Sequence, residues 1–138
     1  MRYVTLRMEW ALLHLGCGCN SGTISTPSGP MAKKIALLLP ETKTTRYEAK
    51  DKPLFTAKLM ALCPNCTILY SNANQDAAQQ QSQAEAALTN GASVLVLDAV
   101  DGAAAAAIAV KAKAAKVPVV SYDRLITGSD AVDYYVSF

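Results

Sequence analysis

Histidine is almost missing from this chain: the 138 residues contain one, His14. Beyond position 14 no imidazole is available, which excludes a Ser/His/Asp triad and leaves a zinc site without its commonest nitrogen ligand. No glycine-rich turn follows the first strongly apolar run, so a phosphate cradle is excluded as well. Charge is scarce at 17% of residues, and 13 basic against 11 acidic side chains give a net charge of +2 with no run of five or six like charges. The electrostatic footprint of a nucleic-acid binder is therefore lacking. Aromatics make up 7%, mostly six scattered tyrosines, without the interleaved basic and aromatic pattern that stacks single strands. What is abundant is apolar: 51% of residues, much of it alanine, enough for one globular domain with its own core and small-residue helices packed on a sheet.

The start of the chain has a different character. Arg2 and Arg7 precede the apolar group Trp10 to Leu15, followed by Gly16-Cys17-Gly18-Cys19 and a loose Ser/Thr/Gly/Pro stretch to Pro30. That order matches a secretory signal, and it is too short to span a membrane as a folded helix. Leu15-Gly16-Cys17 is similar to the end of a bacterial lipoprotein signal, which would make Cys17 the lipidated residue, although His14 stands where an apolar residue is usual. A misplaced start and a folded N-terminal segment are the alternatives. The expectation is a signal-like segment over 1–19, a flexible tether over 20–33 and a folded lobe over 34–138.

Within that lobe, Ile35 to Leu39 are five consecutive apolar residues ended by Pro40, the pattern of a strand buried on both faces. Thr67 to Tyr70, Val94 to Leu97 and Val117 to Tyr122 repeat the pattern, and Tyr134 to Phe138 reads as a last strand. Between them lie helical stretches: one capped by Asp51 with Leu54, Phe55, Leu59 and Leu62 as its apolar stripe, one over about 75–90 closed by Asn90-Gly91, and an alanine-rich one over about 103–115. The glutamine-rich face of the second helix reads as solvated. Alternating strands and helices predict an α/β fold, a doubly wound parallel sheet.

In such sheets ligands bind at the carboxyl ends of the strands. Three of those ends carry acids, Glu41, Asp98 and Asp123, and the loop after the first strand adds Lys43, Arg46 and Tyr47. A sugar's vicinal hydroxyls are well read by a carboxylate, which accepts from two of them, and by a guanidinium, which donates through a fixed fork. Asp123-Arg124 supplies both. Arg46 can balance a desolvated carboxylate, and Tyr47 offers a ring face for sugar C–H groups with a hydroxyl at its tip. The competing reading is that Asp123 caps a turn and Arg124 makes a surface ion pair.

Cys63-Pro64-Asn65-Cys66 has the spacing of a redox motif, but it follows a helix and precedes a strand, whereas thiolate-activating sites sit at a helix N-terminus. A structural disulfide is the leading reading, free thiols the alternative, and redox catalysis is disfavoured.

Taken together, Lys34 to Tyr47, Val94 to Gly102, and Ser121-Tyr122-Asp123-Arg124-Leu125-Ile126 with Asp133 to Phe138 resemble the N-terminal lobe of the xylose-type periplasmic sugar-binding proteins of ABC transporters. The resemblance covers roughly residues 33 to 138. It implies one lobe of a two-lobe clamp, a monosaccharide ligand such as xylose or a related pentose or hexose, a membrane permease as partner, no cofactor, no metal, no catalysis, and an extracytoplasmic location with membrane contact only through a lipid anchor. By motif position it implies sugar contacts at Arg46, Tyr47, Asp123 and Arg124; Glu41, Lys43 and Asp98 are further candidates. Two cytoplasmic alternatives share the fold. The effector core of a sugar-sensing repressor would need a DNA-reading domain in front, and a receiver-like signalling domain would use Asp98 but lacks the usual acidic pair at Pro40-Glu41.

Overall fold

The computed structural model describes residues 32–138; the signal-like segment, Cys17 and most of the tether lie outside the described residues. The elements run β1 (Lys34–Leu39), a π-helical turn (Tyr47–Asp51) continuous with α1 (Lys52–Leu62), β2 (Thr67–Asn72), α2 (Ala77–Thr89), β3 (Ala92–Leu97), α3 (Ala106–Ala114), β4 (Val119–Tyr122) and β5 (Tyr134–Val136). All strand pairings are parallel, in the order β2-β1-β3-β4-β5. The chain leaves β1 toward one edge, returns past it, and continues toward the other. The order reverses between β1 and β3, and that reversal opens a crevice at their carboxyl ends.

Strand alternation sorts the core. Ala36 and Leu38 of β1 with Leu95 and Leu97 of β3 pack against Ala84 and Ala87 of α2 and Ile108, Ala109 and Ala112 of α3. Ile35, Leu37 and Leu39 point the other way, onto Tyr47 and Val96, with Phe55 and Leu59 of α1 beside them. Alanine on α2 and α3 lets their backbones approach the sheet closely.

Several local expectations are corrected. The apolar stripe of α1 is narrower than the sequence suggests: Leu54 is 66% and Leu62 72% exposed, and only Phe55 and Leu59 pack inward. Asp51 makes no cap hydrogen bond, because the chain is already helical through the π-helical turn and Asp51 itself has helical dihedrals; its carboxylate instead faces Arg46, with Nε and Oδ2 3.0 Å apart. Asp76, by contrast, caps α2 through bonds from the Ala78 and Gln79 amides at 2.8 and 3.0 Å, and Gly91 closes it with φ +80°. The alanine-rich helix begins at Ala106, after a turn held by Asp101, whose Oδ1 accepts from Ala104 N–H at 2.7 Å.

The glutamine-rich face of α2 is not wholly solvated. Gln80 is buried; it donates to the Asp98 carbonyl at 2.8 Å and accepts from Val100 N–H at 2.9 Å, fastening the end of β3 to the helix. Cys63 and Cys66 are joined by a disulfide with their Cα atoms 5.3 Å apart, at the C-terminus of α1.

Candidate functional site

The crevice is built from three loops. After β1, Glu41 is buried and turns back into its own loop, accepting from the Thr44 hydroxyl, from Lys43 N–H at 3.1 Å and from the Gln75 amide at 2.9 Å. Those bonds, led by that of Thr44, hold its carboxyl below the usual range and make it a brace for the turn. Lys43 contributes its backbone to that brace and stands exposed at the rim. The chain then enters the π-helical turn, which brings Arg46 and Tyr47 over the sheet end.

After β4, Asp123 takes φ +59°, a conformation few non-glycine residues adopt. Arg124 N–H reaches back to the Tyr122 carbonyl at 2.7 Å, so Asp123 is the centre of a three-residue turn. The turn swings the Asp123 carboxylate toward the β1 loop, where Arg46 donates to Oδ2 at 2.5 Å and the Tyr47 hydroxyl at 3.0 Å. Residues 46, 47 and 123, far apart in sequence, thus share one hydrogen-bonded unit. Burial pulls the Arg46 guanidinium toward losing its proton, but Asp123 and Asp51 more than offset this and fix its charge. Burial, reinforced by the neighbouring carboxylates, pushes the Tyr47 phenol far up, so it serves as a donor.

The expected ring face of Tyr47 is not on offer, since the residue is 2% exposed and its ring belongs to the core. Phe138 is the open ring, 75% exposed, with its centroid 4.2 Å from the Arg46 guanidinium carbon and 5.8 Å from the Tyr122 ring.

Arg124 lies between two acids without bonding tightly to either. Its Nη2 is 3.9 Å from Glu41 Oε1 and its Nε 3.8 Å from Asp98 Oδ1, while Nη1 donates to the Ala99 carbonyl at 3.2 Å. With its side chain 41% exposed, the fork faces the crevice. Asp98, at the end of β3, is fully buried beneath it.

Sequence reading missed the supports. Ser121 is buried, donates to the Arg124 carbonyl at 2.8 Å and accepts from Ile126 N–H at 3.0 Å. Gly102 allows the β3 and β4 loops to touch: a Cβ there would sit 2.5 Å from the Leu125 carbonyl oxygen. Gln80 had no signal separating it from its neighbours in a polar run, whereas Gly102, directly after Asp101 in the loop that leaves β3, carried a weak one.

A family profile described as a periplasmic binding protein domain matches residues 35–138. The multiple sugar-binding periplasmic receptor ChvE of Rhizobium radiobacter is 43% identical over 65 residues, which is 47% of this chain and 18% of that protein. The multiple sugar-binding periplasmic protein SbpA of Azospirillum brasilense is 41% identical over 66 residues, 48% of this chain and again 18% of its own length. Among solved structures, an ABC transporter solute-binding protein of Clostridium phytofermentans with bound β-D-glucose superposes with a TM-score of 0.72 at 29% identity, covering 77% of this chain and 32% of that one. A carbohydrate transporter solute-binding protein of Chloroflexus aurantiacus in complex with D-glucose gives 0.70 at 35%, covering 78% and 31%. The chain therefore matches about a third of the length of those structures.

Proposed function

Since this chain belongs to the periplasmic binding protein domain family, we propose that it is the N-terminal sugar-recognising lobe of an extracytoplasmic substrate-binding protein that delivers a monosaccharide to an ABC-transporter permease. The observation that carries this reading is the Arg46–Tyr47–Asp123 unit with Arg124 beside it. It sets an acceptor pair and a donor fork side by side at a sheet end, in an arrangement held before any ligand arrives. The role is binding without catalysis.

In this reading one Asp123 oxygen stays bonded to Arg46 and Tyr47 while the other accepts from a sugar hydroxyl, and Arg124 turns its free edge to the neighbouring ring oxygens. Phe138 takes the part first expected of Tyr47, a flat apolar wall for the C–H face of the ring. The ligand is a pyranose, xylose or a related pentose or hexose, and the glucose held by two structural neighbours supports that class. A second lobe closes over it, because a sugar exchanges its water for protein without loss only when most of its surface is covered. The segment 1–19 would export the protein, Cys17 would carry a lipid, and 20–33 would be the tether.

NMR titration with xylose and glucose tests the proposal. The lobe alone is expected to bind with a dissociation constant of about 1 mM or weaker, with shifts centred on residues 46–47 and 123–124. Joined to a second lobe, Asp123→Ala should weaken binding by roughly ten- to a hundredfold. Sugar-induced shifts elsewhere, or none at all, would refute the site.

A further inference from the structure

Asp98 is a buried carboxylate that Arg124 approaches only to 3.8 Å. Both of its oxygens are buried, and among the described residues neither has a hydrogen-bond partner. Its backbone is fully engaged, N–H to the Leu38 carbonyl at 3.0 Å and carbonyl to Gln80, so the side chain is held in place at the crevice floor. The titratable and charged groups facing it are Arg124 and Asp123 from the β4 loop and Tyr47 and Arg46 from the β1 loop, with Glu41 on the far side of Arg124. The one proton of Tyr47 goes to Asp123. Among the described residues Arg124 is the nearby cation without a hydrogen-bonded carboxylate, and at 3.8 Å it attracts Asp98 without bonding to it.

Resting on the sugar-binding reading above, we infer that Asp98 is a positioning residue which, when charged, draws Arg124 down to the crevice floor and, when protonated, releases it, so that sugar capture takes up a proton at Asp98.

The direction follows from what each neighbour does. Burial drives the Asp98 carboxyl up to about 7, against the attraction of Arg124. A sugar that engages the Arg124 fork draws the guanidinium away and displaces water above the carboxyl, and both changes favour the protonated form further. Asp123 keeps its bonds to Arg46 and Tyr47 throughout, so its repulsion of Asp98 is common to both states. No covalent step is involved: one solvent proton adds to one Asp98 oxygen as sugar binds and leaves as it departs. The complex then holds its proton to a higher pH than the free lobe, and affinity falls as pH rises through neutrality, up to about tenfold for each unit by which the two titrations are separated.

Carboxyl-detected NMR on the labelled protein, titrated between about pH 5 and pH 9 with and without several hundred millimolar xylose or glucose, reads this directly. Expected are an Asp98 midpoint near neutrality, an upward move of that midpoint with sugar, and a dissociation constant several-fold larger at about pH 8 than at about pH 6. In Asp98→Asn, at whatever affinity it retains, the dissociation constants at those two pH values should coincide. An Asp98 midpoint in the ordinary carboxylate range would overturn the inference. So would sugar-induced shifts at residues 123–124 with an unmoved Asp98 midpoint, or a pH dependence that persists in Asp98→Asn; in both cases the sugar-binding reading would stand. Absence of sugar-induced shifts in wild-type protein at every pH would refute the sugar-binding reading and this coupling together. The wild-type titration decides the matter even if the variant does not fold.

Discussion

The face of the sheet under α2 and α3 buries leucine and alanine almost to exclusion of solvent, whereas the face under α1 is covered by a helix with no buried residue of its own. On the first face each helix contributes small side chains that let the backbones settle against Leu38, Leu95 and Leu97. On the second, Tyr47 from the π-helical turn does much of the covering, with Phe55 and Leu59 partly buried beside it and Leu54 and Leu62 turned outward. The site lies where the two meet: Asp98 extends a strand clamped by α2 through Gln80, while Arg46 and Tyr47 belong to the turn that opens α1. A rigid floor thus underlies a more lightly held wall, the division expected of a crevice that must hold one partner fixed and admit another.

Truncation on the two faces should break the comparison most visibly. Leu38→Ala removes a fully buried side chain and is expected to cost about 3 kcal/mol or more, against about 1 kcal/mol for Leu59→Ala on the partly covered face. Urea midpoints give both values, and equal losses would mean that α1 is as firmly seated as its counterparts. Next in size is Gly102→Ala, expected to cost roughly 2 to 3 kcal/mol because the new methyl meets the Leu125 carbonyl oxygen at 2.5 Å. Since the clash separates the β3 and β4 loops, sugar-dependent shifts at Arg124 should weaken in the same variant.

The disulfide sharpens the contrast from the other side. Its short loop closes the C-terminus of α1, so Cys63→Ser with Cys66→Ser should lose about 2 kcal/mol. Hydrogen exchange is expected to rise along α1 and β2 and to stay unchanged in α3, and intact mass after alkylation of the denatured, unreduced wild type should show this pair unmodified.

Asp98 bears on stability through pH. Burial pushes its carboxyl up to about 7 from an ordinary 3.8, so between those values the native state should hold a proton that the unfolded chain has released. Stability therefore falls as pH rises through that window. Asp98→Asn should remove the fall and make the protein more stable than wild type at about pH 8. Denaturant unfolding at about pH 5 and pH 8 checks the sign, and a wild type that gains stability toward pH 8 would contradict it.

By itself the sequence determined the architecture and the strand ends. Runs such as Ile35 to Leu39 and Val94 to Leu97 leave no polar face, so they must be central parallel strands, and the residues that follow them must line the carboxyl edge. Arg46, Tyr47, Asp123 and Arg124 were singled out as candidates on that ground and by resemblance. Only the tertiary structure decided how they are employed. Whether Tyr47 shows its ring or only its hydroxyl depends on which face of the π-helical turn meets the sheet, and nothing within residues 41–51 specifies that. Glu41 became a brace because Gln75, 34 positions away, reaches it. Asp98 lost its solvent because Arg124, 26 positions later, lies over it, and Gln80 was singled out of a polar run because its place on α2 faces the end of β3. Periodicity is a local property of the chain and reports which side of an element is apolar; partners and desolvation are set by contacts across distant segments, and those exist only once the sheet has brought the loops together.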